Sequence, residues 1–173
     1  MTSFVLGGGC FWCLDSSYMQ FKGIIDVEVG YMGGQIDNPG YEAVCSGTTG
    51  HAEVARVHFD EAVIPADIVL DIFFTIHDPR QLNRQGNDIG TQYRSSMFYT
   101  DAAQKQLFET ALERSKTIWD GELVTEIVPA ETFWMGEEYH QDFFAKNPNQ
   151  GYCNAVVAPK MGKARAGFSA YLK

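Results

Sequence analysis

The 173-residue chain is short of positive charge: 13 Lys and Arg stand against 22 Asp and Glu, a formal net charge of −9. That deficit disfavours a general nucleic-acid or anionic-membrane binder, since both need a basic patch. No apolar run approaches the roughly 20 residues of a membrane span. The N-terminus reaches Gly7 too soon to hold a signal peptide, so a cytoplasmic protein is expected. Cysteine is scarce, with only Cys10, Cys13, Cys45 and Cys153. A chain this long does not need a disulfide scaffold, and without a secretion signal catalysis or redox sensing is favoured over bridging. The glycines fit neither GxxxxGK[ST] nor GxGxxG, which argues against phosphate binding. One CxxC supplies two of the four ligands of a structural zinc, and no second CxxC or HxxxH exists, so no metal is expected. His51, His58, His77 and His140 are scattered, which counts against a Cys–His protease.

What the chain does have is a large apolar fraction, 45%, with 12 Phe and 8 Tyr. One domain spanning 1–173 with a real core is expected. Residues 3–6 and 24–31 read as strands, and a helix from Phe11 to about Phe21 places Cys10 near a helix N-terminus. HAEVARVHF alternates as a strand. Glu53, Ala55, Val57 and Phe59 share its more apolar side, and His58 is expected to face solvent on the other. Ile68, Val69, Ile72, Phe73 and Ile76 form a helical core stripe. Further helices are expected over Asp101–Trp119, with Leu107, Ala111 and Ile118 on one face, and over Gly136 to about Lys146; Val124–Val128 reads as a strand. Residues 32–50 and 77–96 are long polar loops, and a loop of that length is usually functional or disordered. From about residue 147 a small-residue, basic tail is expected to be mobile. The fold class is α+β: a two-layer sandwich with a mixed or antiparallel central sheet, a ferredoxin-like core, helices packed on it and long coil segments.

The stretch GGGCFWC, residues 7–13, carries the chemistry. Cys10 is the candidate nucleophile. Only a thiolate attacks, a helix N-terminus favours negative charge, and a glycine turn would leave the sulfur uncovered. Cys13, three residues on, could form a short-loop disulfide with it. Phe11 and Trp12 either pack the core or wall an apolar pocket beside the sulfur. Glu53 either reaches solvent at an edge or, if buried, has its pKa raised until it can donate a proton near neutrality. Tyr41, Asp88 and Tyr93 sit in the two long loops as hydrogen-bonding groups.

Taken together, GCFW (9–12), GY (30–31), NPGYEAVCSGTTGHAEVARVHFD (38–60), QGNDIGTQYRS (85–95) and EEYHQDFFAKNPNQGYC (137–153) resemble the A-type peptide methionine sulfoxide reductases. The resemblance runs from Phe4 to Cys153. It implies thiol-dependent reduction of methionine S-sulfoxide, free or in proteins, by a monomer without cofactor. It implies Cys10 as nucleophile, Glu53 as acid, and Tyr41, Asp88 and Tyr93 as groups on the sulfoxide oxygen. Phe11 and Trp12 would hold the substrate methyl, Cys153 would resolve the Cys10 sulfenic acid, and thioredoxin would recycle the enzyme. Many members have Gly in place of Cys13 and Glu in place of Asp15; others carry GCFWC and lack the tail cysteine. This chain has both thiols. Cys153 is favoured as first resolver on reach, with Cys13 able to compete or to relay the disulfide.

Overall fold

The computed structural model describes residues 2–147 and 149–173, apart from the side chains of Cys153 and Asn154. Strand β1 (Thr2–Gly7) leads through the glycine turn into α1 (Phe11–Tyr18). Then come β2 (Ile24–Met32), α2 (Tyr41–Cys45), β3 (Ala52–Phe59) and α3 (Ala66–Ile76). The second long loop holds a small hairpin, β4 (Arg84–Gln85) with β5 (Asp88–Ile89), and a 3-10 turn at Thr91–Tyr93. The order continues with β6 (Ser96–Tyr99), α4 (Ala102–Ser115), β7 (Glu126–Pro129), β8 (Trp134–Met135) and α5 (Phe143–Lys146). A π-helical turn, Cys153–Val157, runs into α6 (Ala158–Gly167). Among the described residues no helix is long and apolar enough to cross a membrane.

Six strands form one sheet in the order β7-β6-β1-β3-β2-β8. Only β6 and β7 pair in parallel, so the sheet is mixed. Period-two alternation explains its two faces. Phe4 and Leu6 of β1, Val27 of β2, and Ala55, Val57 and Phe59 of β3 pack under α1, α3, α4 and α6. The Phe4 ring lies 5.0 Å from Phe59 and 5.2 Å from Phe108 of α4. On the other face Val5, Met32, Ala52, Val54 and Phe98 make a smaller cluster, roofed by Val128, Ala130 and Phe133. His58 is half-buried there, with its ring on Ser3 Oγ and Glu28 Oε1, rather than facing solvent.

The α3 stripe is as the periodicity predicts, with Val69, Ile72, Phe73 and Ile76 buried. Two expected helices differ. The helix opened by Asp101, whose carboxylate caps the Gln104 N–H at 2.8 Å, ends at Ser115. Ile118 therefore lies in the turn beyond it and is exposed, while Trp119 reaches back to donate to the Phe74 carbonyl. No single helix spans 136–146. The Gln141 side chain bonds the N–H and the carbonyl of Val29 on the edge of β2, both at 3.0 Å. This anchor, and the left-handed Asp142 (φ 54) whose N–H donates to Asp15 Oδ2, leave only a 3-10 turn and the short α5. The tail carries α6, packed against α3, with Val157 and Ala164 buried. The chain ends by pairing Leu172 with Phe21.

Phe4, Phe59 and Phe108 are fully buried with their rings in contact. Phe4→Ala should cost about 3–5 kcal/mol of stability in a denaturant titration, against less than about 1 kcal/mol if the ring were replaceable by local settling.

Candidate active site

The turn that carries Cys10 and Glu53 meet because β1 ends where β3 begins. Leu6 pairs with Ala55, and a Cβ on Gly7 would stand 3.0 Å from the Glu53 carbonyl. The glycines serve close packing. A Cβ on Gly8 would strike the His77 ring at 2.9 Å, and Gly9 adopts φ +81 with Gln85 against it. They do not uncover the sulfur, contrary to the expectation from the sequence. Cys10, at the N-cap position of α1, is only 5% exposed, because aromatic side chains from other segments close over the turn.

Glu53 is 1% exposed. Its Oε1 accepts the first open N–H of α1, from Phe11, at 3.2 Å, and its Oε2 has no partner. A helix N-terminus stabilises a carboxylate, yet burial dominates: desolvation pushes the Glu53 pKa up to about 8, against the lowering Phe11 bond and with a further rise from Asp88. The group is therefore a carboxylic acid at neutral pH. Burial likewise pushes the Cys10 thiol well up, and the charges of Glu53 and Cys13 add to the rise; the Trp12 N–H and the Tyr152 hydroxyl oppose it. The helix terminus thus does not by itself make the resting thiolate that the sequence suggested. Removing a sulfur anion from water costs more than a few backbone dipoles return.

The two polar loops are tied together over these strand ends. His51 Nδ1 accepts from the Gly34 N–H at 3.0 Å and its Nε2 bonds the Ile36 carbonyl, which pins the first loop. Gln92 donates to the Cys45 carbonyl, linking the second loop to α2, and the Gly9 N–H donates to the Tyr93 carbonyl. Tyr41 opens α2, and Tyr93 closes the 3-10 turn. Burial first, and then the Glu53 charge, pushes both phenols up, so they remain hydrogen-bond donors. The Cys45 thiol accepts from both hydroxyls, while its pKa is raised mainly by burial. Asp88 Oδ2 accepts from the Tyr152 hydroxyl at 2.5 Å, and that hydroxyl lies near enough to the Cys10 sulfur to oppose the rise in its pKa.

Phe11 and Trp12 have different surroundings. Phe11 is fully buried, stacked on Tyr41 and near Tyr31 and His140. Trp12 is half-buried: Phe143 covers one face at 3.8 Å, Tyr152 meets it edge-on, and its Nε1–H donates to His140 Nδ1. Cys13 is buried one turn into α1. The Cys153 side chain, the favoured resolver, lies outside the described residues. The structure thus brings Cys10, Glu53, Tyr41, Tyr93, Asp88, Phe11, Trp12 and Cys13 to one place.

Sequence reading missed a second rank of residues. Glu137 accepts from the Tyr31 hydroxyl at 3.0 Å and from the Tyr41 N–H at 3.2 Å. His140 is wedged among Tyr41, Phe11 and Trp12. Tyr152 was visible only as the neighbour of Cys153 in NQGYC, where turn chemistry hid it. Among the described residues no group of three or more His, Cys, Asp and Glu is placed to hold a metal ion.

With this geometry established, comparison with known proteins is direct. The family described as "Peptide methionine sulfoxide reductase" matches residues 2–170. The chain is 60% identical over 173 residues to "Peptide methionine sulfoxide reductase MsrA" of Clavibacter michiganensis, covering all of this chain and 99% of that protein. Its fold is similar to that of Mxr1 from Saccharomyces cerevisiae in reduced form, with a TM-score of 0.83 and 36% identity over 88% of each chain. It also resembles Mxr1 solved in complex with Trx2, with a TM-score of 0.58 and 24% identity over 82% of this chain and 84% of that one.

Because the folded pKa of Glu53 is raised, the native state holds a proton that the unfolded chain releases between about pH 4.5 and 8. Wild-type stability should fall across that window relative to Glu53→Gln, which carries no titrating group. Denaturant midpoints of the two proteins at pH 5 and pH 8 measure this. A stability difference that does not shift towards Glu53→Gln with rising pH would refute a buried, protonated Glu53.

Proposed function

The chain belongs to the peptide methionine sulfoxide reductase family, and its relatives at high identity make it a peptide-methionine sulfoxide reductase; from that premise we propose how this site performs the reaction. The substrate is methionine S-sulfoxide, free or in a polypeptide. The observation that carries the reading is the unpartnered Oε2 of a protonated Glu53 beside the Cys10 sulfur.

A sulfoxide sulfur becomes electrophilic when its oxygen is protonated or hydrogen-bonded. Glu53 Oε2 supplies the proton, and the Tyr41 and Tyr93 hydroxyls turn from Cys45 to the oxygen. Phe11 and Trp12 form the apolar wall for the methyl group, with Trp12 held by His140 and Phe143. Protonation of Glu53 also removes its repulsion of Cys10, so the two groups carry at most one negative charge between them. Cys10 loses its proton to the site and attacks. The sulfoxide sulfur gains two electrons and leaves as methionine; Cys10 is oxidised by two and keeps the oxygen as sulfenic acid. No net proton is consumed in this half.

A second thiol then displaces water from the sulfenic acid and forms a disulfide. Cys153 takes this role, and Cys13, one turn away on α1, relays the disulfide outward or competes. An external dithiol, thioredoxin, resets the enzyme by exchange. The solved complex of the yeast relative Mxr1 with Trx2 supports that partner. The order β6-β1-β3-β2 of the four inner strands supports reading the core as ferredoxin-like.

Three variants test the cycle. Cys10→Ser should abolish sulfoxide reduction; retained activity would end the reading. In single turnover, sulfenic acid formation by the wild type should weaken as pH rises past about 8, where Glu53 loses its proton. Glu53→Gln should lose about 10²–10⁴-fold, the range of a general acid. Cys153→Ser should slow turnover with thioredoxin. Unchanged recycling together with a mapped Cys10–Cys13 disulfide would move the resolving role to Cys13.

A further inference from the structure

Catalysis at Cys10 accounts for the sulfoxide but not for the chain attached to it. A trough of about 600 Å³ opens beside the site, between the 78–88 loop and the start of α6. Its inner end is Asp88 and Tyr152, the pair whose hydroxyl reaches the Cys10 sulfur. A second cavity of about 250 Å³ shares Asp78, Gln85, Pro159 and Lys160 with the first, and so continues the trough to Trp119 and Lys163.

The two walls differ. Ala155, Val156 and Pro159 present apolar surface, while Gln81 and Asn87 across the trough present amides. Lys160 and Lys163 formally balance Asp78 and Asp88 along it, in a chain whose net charge is −9. Lys160 Nζ stands 3.4 Å from where a Cβ on Gly9 would be, so its ammonium lies over the residue that precedes the nucleophile. Lys163 Nζ sits 4.7 Å over the Trp119 ring. The trough's own carboxylates are engaged elsewhere: Asp78 by Arg80 at 2.9 and 3.0 Å, and Asp88 by Tyr152. Among the described residues neither lysine has a carboxylate within ion-pair distance, whereas Arg56, Arg80, Arg94, Arg114 and Lys116 each have one.

We propose that this trough binds the polypeptide flanking an oxidised methionine and favours acidic residues there. The inference rests on the reading of Cys10 and Glu53 above. An extended peptide offers amides to one wall and side-chain methylenes to the other. Glutamate or aspartate within a few residues of the sulfoxide would meet Lys160 and Lys163. The sulfoxide side chain would turn in past Tyr152 to the sulfur.

The test is a comparison of kcat/KM for two methionine S-sulfoxide peptides that differ only in carrying Glu or Lys on both sides of the sulfoxide. Dithiothreitol serves as reductant, so no second protein takes part. At low ionic strength the Glu-flanked peptide should win by about tenfold, and the ratio should approach one at about 1 M salt, where the screening length is about 3 Å. Lys160→Glu and Lys163→Glu should each lower or invert the ratio. Equal values for the wild type at low salt, or a preference that both charge reversals leave intact, would overturn the trough. Free methionine S-sulfoxide, run in parallel, separates the two failures: if it is reduced and the peptide ratio is flat, only the trough falls. If the wild type reduces no sulfoxide at all, the reading of the site falls and the trough with it.

Discussion

The hydrogen bond from the Phe11 N–H to Glu53 Oε1 is the joint on which this molecule's chemistry is built. It exists because β1 and β3 are neighbours in the sheet and because the chain turns from β1 straight into α1. Three glycines make that turn possible by letting His77, Gln85 and the β3 backbone approach to distances that side chains would forbid. The helix then gives its first open N–H to the carboxyl rather than to solvent. One carboxyl oxygen is satisfied, and the other is buried without a partner, the atom that the proposed function assigns to the substrate oxygen.

That arrangement explains why the site can hold several acidic groups without filling with negative charge. Glu53, Cys10, Cys45, Tyr41, Tyr93 and Tyr152 are all pushed up, each with burial as the leading cause. In low dielectric one ion is costly and two adjacent ions of like sign are prohibitive. The neutral state of the cluster is therefore the resting state, and it is rich in O–H and S–H donors. A sulfoxide, with its strongly accepting oxygen and apolar methyl, complements such a surface better than an anion would. In the proposed reaction the Cys10 thiolate forms as a proton shifts towards the bound oxygen, which would tie reactivity to the presence of substrate.

The residues gathered at the candidate site were legible because they lie in unbroken local patterns. GCFW announces a cysteine at a helix start. The alternation of HAEVARVHF puts Glu53 on the face with Ala55, Val57 and Phe59, and the structure keeps it there. The supporting shell was not legible, for physical reasons. Glu137 and His140 act through contacts about a hundred residues away along the chain, to Tyr31, Tyr41 and Trp12, and no local periodicity encodes such pairings. The expected helix over 136–146 failed on the same ground: the Gln141 side chain satisfies the edge of β2 in place of a helical ladder. The small-residue, basic tail carries no long apolar stripe, yet it holds α6 against α3 with Ala164 buried. Composition reports whether a segment can bury area alone, not whether a neighbour supplies the other half.

The tail's placement bears on the proposed cycle. Tyr152 precedes Cys153, the resolving thiol of the proposed cycle, and its hydroxyl donates its one proton to Asp88 Oδ2. In the neutral site that proton is held by the carboxylate, and it can serve a sulfur anion at Cys10 only by leaving it. The π-helical turn that follows, Cys153–Val157, departs from the regular helical ladder next to this hydroxyl. In the proposed cycle the seating of Tyr152 is therefore coupled to the charge on Cys10, and the residue that answers that charge adjoins the one assigned to resolve it.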